Sequence, residues 1–194
     1  MTEHDERGKR RLDARALRGL AHPLRMQLLT ALRQRGPATA SMLAERLGES
    51  SGATSYHLRQ LAAHGFVEDA PEHGKGRERW WRAANEGLVF DSTEFDGAGP
   101  EVRGMADVFL HEIAGAHARE LSTWIATRDH WSREWTGATD MSDATFRLTP
   151  ELATELVARM HALIEDYRDR VPDADTPAAE QVRIHTHLFP IETT

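Results

Sequence analysis

Apolar positions in the first 85 residues fall into short helical stripes divided by breakers. Leu12, Ala16, Leu17 and Leu20 recur every three to four residues, which predicts a helix over Asp13–Ala21. His22-Pro23 interrupts it, because proline disfavours helix in the residue before it and suits the first turn of the next one. Leu24, Met26, Leu28, Leu29 and Leu32 carry a second helix to about Arg35, where Gly36-Pro37 stops it. Thr39 is placed to cap a third helix whose apolar face is Met42, Leu43 and Leu47, with Gly48 as a left-handed stop. After a short turn at Glu49-Ser50, a fourth helix is predicted from Ser51 to Ala63. The period then changes from helical to alternating. Phe66–Pro71 and Arg77–Ala83 read as strands, and His73-Gly74-Lys75-Gly76 as the turn between them.

Two short helices joined by a tight turn make a helix-turn-helix unit. On its second helix Ala53, His57, Leu58 and Leu61 share a side at 3.6-residue spacing and are expected to face the core. Ser51, Gly52, Ser55, Tyr56, Arg59 and Gln60 lie away from them. Small side chains let a helix sit deep in a major groove, and hydroxyls, amides and guanidinium groups can meet base edges or phosphates. A merely solvated polar face is the default for an isolated helix, and it is the surrounding order of elements that favours the groove. The hairpin tip carries Lys75, Arg77 and Arg79 beside glycines, which suits a phosphate backbone or a minor groove. Trp80 and Trp81 point to opposite faces of their strand, and core packing is the expected role of this pair rather than base stacking.

The chain of 194 residues has a formal net charge of −7, an unpromising sign for a partner of nucleic acid. The charge is unevenly shared. Residues 1–85 hold 15 Lys+Arg against 10 Asp+Glu, and residues 86–194 hold 9 against 21. A basic half can hold phosphates while an acidic half does something else. The 40% hydrophobic content is enough for a packed core. There are no cysteines, which excludes disulfides, thiolate metal sites and thiol nucleophiles, and accords with a reducing cytoplasm. The polar N-terminus lacks the apolar core of a signal peptide, and no stretch approaches the roughly 18 apolar residues of a membrane span. No membrane association is expected.

The segments LAHPLRMQLLTAL, ATASMLAERLGESSGATSYHLRQLAAHGFVE and GKGRERWWRA resemble the ArsR-type winged-helix repressors of bacteria. The resemblance covers roughly residues 13–85. It rests on the helix opened by HP-LR, on Ser51, Ser55, His57 and Leu58 in the pattern S-x-x-x-[ST]-x-HL, and on the G-[FL]-V exit into a Gly/Arg-tipped hairpin. It implies a homodimer that sets two recognition helices in successive major grooves. Ser51, Gly52, Thr54, Ser55, Tyr56 and Arg59 match the family's DNA-reading stretch, and Lys75, Arg77 and Arg79 match its wing. Metal-sensing members carry a cysteine motif on the helix before the recognition helix. Here that helix reads TASMLAERL, so the usual effector chemistry does not carry over. The longer chain is more similar to the ArsR-like subgroup with a large C-terminal extension.

Beyond residue 85, ANEGLVFDSTEFDGAG reads as an acidic linker. A long helix follows from Pro100. Its apolar arc (Val102, Met105, Phe109, Leu110, Ile113, Leu121, Trp124, Ile125) is wide enough to need more than one packing partner, and a dimer mate is the simplest second one. Ala144, Phe146 and Leu148 alternate and predict a short strand over residues 143–149. Thr149-Pro150-Glu151 is a strong helix start, and Leu152, Leu156, Met160, Leu163 and Tyr167 form the stripe of a helix ending before Pro172. Val182, Ile184 and Leu188 alternate again over residues 181–189. Strand, helix and strand suggest a small α/β unit, its strands paired within the subunit or across a dimer.

His185 and His187 share one strand face at a spacing that can chelate Zn or Ni, but the sequence marks no third ligand, so exposed or interface histidines are the default reading. Trp124, Trp131, Trp135 and Phe146 are candidates to line an apolar effector pocket, with ordinary packing as the default. No nucleophile elbow, phosphate loop, HExxH or dinucleotide glycine pattern occurs, so neither catalysis nor a cofactor is expected.

The expected molecule is mainly α with small β (α+β). Residues 1–11 are a disordered charged arm, 12–85 a winged helix-turn-helix, 86–100 a linker, and 101–194 a helical or α/β dimerisation part that can accommodate a small-molecule effector. The expected function is a homodimeric regulator, a repressor by resemblance, that binds duplex DNA. The alternatives are a winged-helix protein-interaction module and a His-based metal-sensing regulator.

Overall fold

The computed structural model describes residues 8–74, 78–173 and 175–192. The chain divides into two compact units, Met1–Ser122 and Thr123–Thr194.

The first unit opens with a three-residue strand, β1 (Lys9–Arg11), followed by α1 (Ala14–Leu20) and α2 (Pro23–Arg35). Asp13 caps α1 by accepting from the Ala16 amide at 2.6 Å. The imidazole of His22 caps α2 by accepting from the Leu24 amide at 3.2 Å, and Pro23 takes the first turn, where its missing N–H costs nothing. Gly36 ends α2 at φ 77°, a left-handed backbone that a Cβ would strain. Strand β2 (Ala38–Thr39), helix α3 (Ala40–Leu47) and helix α4 (Ser51–Ala63) follow. Then come β3 (Val67–Asp69) and β4 (Trp80–Ala83), with a single 3-10 turn at Pro71–His73 on the way.

β4 is the centre of an antiparallel three-stranded sheet in the order β2-β4-β3. Ala38 faces Trp81 on one side, and Val67 faces Ala83 on the other. The hairpin is thereby tied by β2 to the entrance of α3, which is the arrangement of a winged helix-turn-helix. Leu17, Leu20, Leu28, Leu43, Leu58, Leu61 and Phe66 are fully buried where the four helices and the sheet meet. Each such side chain contributes about 1.5–3 kcal/mol relative to exposure. Trp81 is buried and Trp80 is not, as opposite strand faces require.

The end of the arm at Lys9–Arg11 and the linker differ from expectation, while arm residues 1–7 lie outside the described residues. β1 pairs in parallel with β5 (Gly87–Val89), in the register Lys9↔Gly87 to Arg11↔Val89. Arg11 donates to Glu94 at 2.5 Å and to Asp91 at 2.9 Å. Segment 86–100 also carries Phe95 into the core, where Phe90 stacks on both Phe95 and Phe109 at 5.3 Å between ring centres. Its acidic, glycine-containing composition masked two aromatic anchors, Phe90 and Phe95. Helix α5 (Pro100–Thr127) starts where predicted and buries Ala106 and Phe109 on the first unit's core.

In the second unit α6 (Arg133–Gly137) and α7 (Pro150–Arg168) form, the latter capped by Thr149 through the Leu152 amide. The strands predicted over 143–149 and 181–189 do not: among the described residues of this unit there is no strand, and none is buried. An alternating segment needs a paired edge and a covered face, and here Phe146, Val182 and Ile184 are 68%, 66% and 59% exposed. Among the described residues no helix is long and apolar enough to cross a membrane.

Candidate nucleic-acid interface

Local chemistry fixes the angle between α3 and α4. Thr39 caps α3 by accepting from the Met42 amide at 3.3 Å. Gly48 ends it in the left-handed region at φ 69°, and its amide donates to the carbonyl of Ala44 or Glu45. Two residues later Ser50 caps α4 by accepting from the Ala53 amide at 3.2 Å. Stop, turn and start occupy three residues, so α4 leaves α3 at once and its outer face stays uncovered. Leu58 and Leu61 are fully buried on the inner side.

Most of the predicted reading residues lie on that outer face. Ser51, Gly52, Tyr56 and Arg59 are exposed, and Ser55 and Gln60 are half-buried. A Cβ on Gly52 would meet no protein atom within 4 Å, so the fold does not require glycine there. What glycine contributes is a shallow spot on the helix surface. Thr54 is a correction. It is fully buried and its hydroxyl has no hydrogen-bond partner, so it packs under the helix and touches nothing outside. The signal was available, since Thr54 precedes Leu58 by four and Leu61 by seven, the stripe of the core face.

Arg79 comes to the same place from the wing. Ser41, Ser55, Arg59, Glu78, Arg79 and Trp81 are among the residues lining a cleft of about 250 Å³ between α3, α4 and β4. Arg79 grips Asp69 with two hydrogen bonds, one of them at 2.8 Å from Nη2, and lies 4.0 Å over the Trp81 ring. The hydrogen bond from Arg79 holds the Asp69 carboxyl below its usual range, and Asp69 raises Arg79 in return. Predicted positions Lys75 and Arg77 lie outside the described residues. Sequence reading missed Ser41 and Glu78, whose side chains hydrogen-bond at 3.2 Å across the cleft. An exposed first-turn serine and an acid between two arginines gave no sign that they would meet.

Beneath the outer face lies a titratable cluster. The His57 ring stands 4.2 Å from His22 and 5.1 Å from Tyr56, and its Nδ1 is buried without a partner. Burial, then His22 and Arg25, push His57 below the ordinary histidine range, with Glu49 opposing them. His64 is lowered likewise, first by burial.

Of the other candidates, Trp131 and Phe146 are 39% and 68% exposed, and the Trp135 indole donates to the Ala178 carbonyl at 3.1 Å. His185 and His187 lie on no strand, and among the described residues no three His, Asp or Glu gather as a metal site.

A helix-turn-helix domain family model matches residues 20–70, which run from the end of α1 to just past β3. This chain therefore contains a helix-turn-helix domain. No curated protein matches. Among solved structures, the homodimeric winged helix-turn-helix DNA-binding domain of Mb0332 from Mycobacterium bovis, a possible ArsR-family regulator, is similar at 24% identity. That match covers 55% of this chain and 82% of the other, with a TM-score of 0.35. Reduced HlyU from Vibrio cholerae is similar at 22% identity over 51% of this chain and 84% of its own, with a TM-score of 0.32. Lactococcus lactis ZitR (C30AH42A mutant, apo form) is similar at 16% identity over 77% and 85%, with a TM-score of 0.32. At such scores the class of the domain rests on its own topology and on the matched residues.

Proposed function

We propose that this chain is a sequence-specific transcriptional regulator that reads duplex DNA as a homodimer, in the manner of an ArsR-like repressor with a C-terminal extension. One observation carries the reading: the outer face of α4 presents Ser51, Gly52, Tyr56 and Arg59 to solvent with nothing of the first unit covering them, and the wing's Arg79 flanks the same face. A helix bare of bulky aliphatic groups fits a major groove, and Arg59 and Gln60 at its far end can meet phosphates or base edges. A surface built for a protein partner would show apolar anchors there, and Tyr56 is the one large ring on it.

Residues 12–85 are the reading domain in this proposal and residues 101–194 the dimerising part. The chain acts by binding, not by catalysis, and its place of work is the cytoplasm. An effector that favours the geometry unable to bind DNA lowers DNA affinity by the factor by which DNA lowers the effector's.

The test is selection from a random duplex library by the purified chain at near-physiological salt. A palindrome with half-sites about one helical turn (~10 bp) apart is expected. Enrichment of a single unpaired half-site would reject the dimer, and enrichment of nothing, with weak salt-sensitive binding only, would reject sequence-specific reading.

A further inference from the structure

The second unit raises a problem of cover. Large apolar side chains from Met141, Phe146 and Leu148 through Leu152, Leu163 and Tyr167 to Ile184 and Phe189 are each 42% exposed or more, and no described residue of the unit is buried. A 72-residue unit (Thr123–Thr194) with no buried side chain among its described residues has little to offset its ordering entropy. Yet it is not a sequence of a disordered tail. Helix α7 is capped by Thr149, opens with Pro150 and carries a regular stripe from Leu152 to Tyr167. On either side of it stand two segments with the period of a strand. Ala144, Phe146 and Leu148 alternate with Asp143, Thr145 and Arg147, and Val182, Ile184 and Leu188 alternate with Arg183, His185 and His187. Neither segment forms a strand in the single chain.

We infer that residues 143–149 and 181–189 become strands of one sheet shared between two copies of this chain, with the α7 helices packed on its apolar face. The inference rests on the homodimer proposed above and says where the copies join. Counting strands selects a second copy over a foreign partner. One chain supplies two short strands, and a two-stranded ribbon is at best marginal in water. Two copies supply four strands and two covering helices, a complete two-layer unit. Period-two segments also fit each other across a twofold axis, because an isologous contact sets the same edge against itself. Charge does not oppose the pairing. Segment 143–149 has one acid and one base, and segment 181–189 has Arg183 alone beside its histidines. The area suffices as well. Fourteen large hydrophobic residues of the unit are substantially exposed, and at roughly 100 Å² each they exceed the ~800 Å² per partner of a standard interface.

Hydrogen exchange of the full chain, read by mass spectrometry over a dilution series and paired with sedimentation equilibrium, tests this. Amides in 143–149 and 181–189 are expected to exchange at least ~100-fold more slowly than free peptide when the chain is dimeric, and to lose protection in step with dissociation. Ile184→Pro, which removes a ladder N–H, is expected to raise the dissociation constant at least ~10-fold while α4 keeps its protection. If that variant does not fold, the wild-type dilution series still decides. A dimer whose two segments exchange like free peptide overturns the shared sheet and leaves the homodimer standing. Protection that persists in the monomer overturns the sharing, and a chain that stays monomeric at high concentration overturns both.

Discussion

Arg59 and Arg79 line one cleft and are differently committed. Among the described residues no carboxylate pairs with Arg59, whereas Arg79 is held by Asp69 and lies on Trp81. Arg59→Ala is therefore expected to weaken binding to duplex and to flatten the dependence of log K on log salt by about one unit, measured by fluorescence titration across salt concentrations. An unchanged slope removes Arg59 from the interface. Asp69→Asn is expected to do the reverse. It deletes an acid beside the wing and releases Arg79, so non-specific affinity rises and the salt slope steepens. If affinity instead falls, Asp69 serves by orienting Arg79. His57 bears on stability through pH. Its folded-state pKa lies below the free-histidine value of 6.5 because of burial, His22 and Arg25, against the pull of Glu49. Tyr56 flanks the same ring. A depressed histidine resists protonation only while the fold persists. Stability is thus expected to be full above about pH 6.5 and to fall as pH drops toward the folded-state value, by urea denaturation at stepped pH, with His57→Gln reducing the slope. His64 shifts in the same direction, so its own substitution separates the two.

At the scale of elements, legibility tracks how local the signal is. α2 (Pro23–Arg35), α4 (Ser51–Ala63) and the start of α7 at Pro150 agree with the sequence because a cap, a first-turn proline and a stop lie within a few residues of the helix they delimit. β1 and β5 were not legible. Each has three residues, too few for a period, and their pairing spans nearly 80 positions. Thr54 was misplaced because the family's reading stretch was carried over whole, although the helical spacing sets it beside Leu58 in the core. The strands at 143–149 and 181–189 fail for the opposite reason. Alternation says which side chains want cover and is silent on which chain supplies it. The caps have energetic consequences that can be measured. Ser50→Ala is expected to cost about 1 kcal/mol of stability and also to weaken DNA binding, since it loosens the first turn of α4. Ser50→Asp should retain the cap. Equal stability of Ser50→Ala and the parent in urea melts would show that the turn is held by packing alone.

At the scale of the whole molecule, cores and charges divide the chain unequally. Among the described residues every buried one lies at or before Phe109, and residues 86–194 carry 21 acids against 9 bases. The exposed face of α4 and the wing thus belong to the part that holds the buried core. In the homodimer proposed above, the acidic part contributes little to holding phosphates and serves DNA binding by joining two readers. A joined pair binds its second half-site at the effective concentration set by the tether, not at the bulk one. The full chain is accordingly expected to bind a two-half-site operator at least ~100-fold more tightly than a single half-site of the same sequence. Ile184→Pro should erase most of that ratio and leave single half-site affinity unchanged, because position 184 belongs to neither α4 nor the wing. Fluorescence anisotropy with the two duplexes, for parent and variant, measures all four constants. Were the ratio to survive in the variant, the copies would be joined elsewhere, with the apolar arc of α5 as the next surface to disrupt.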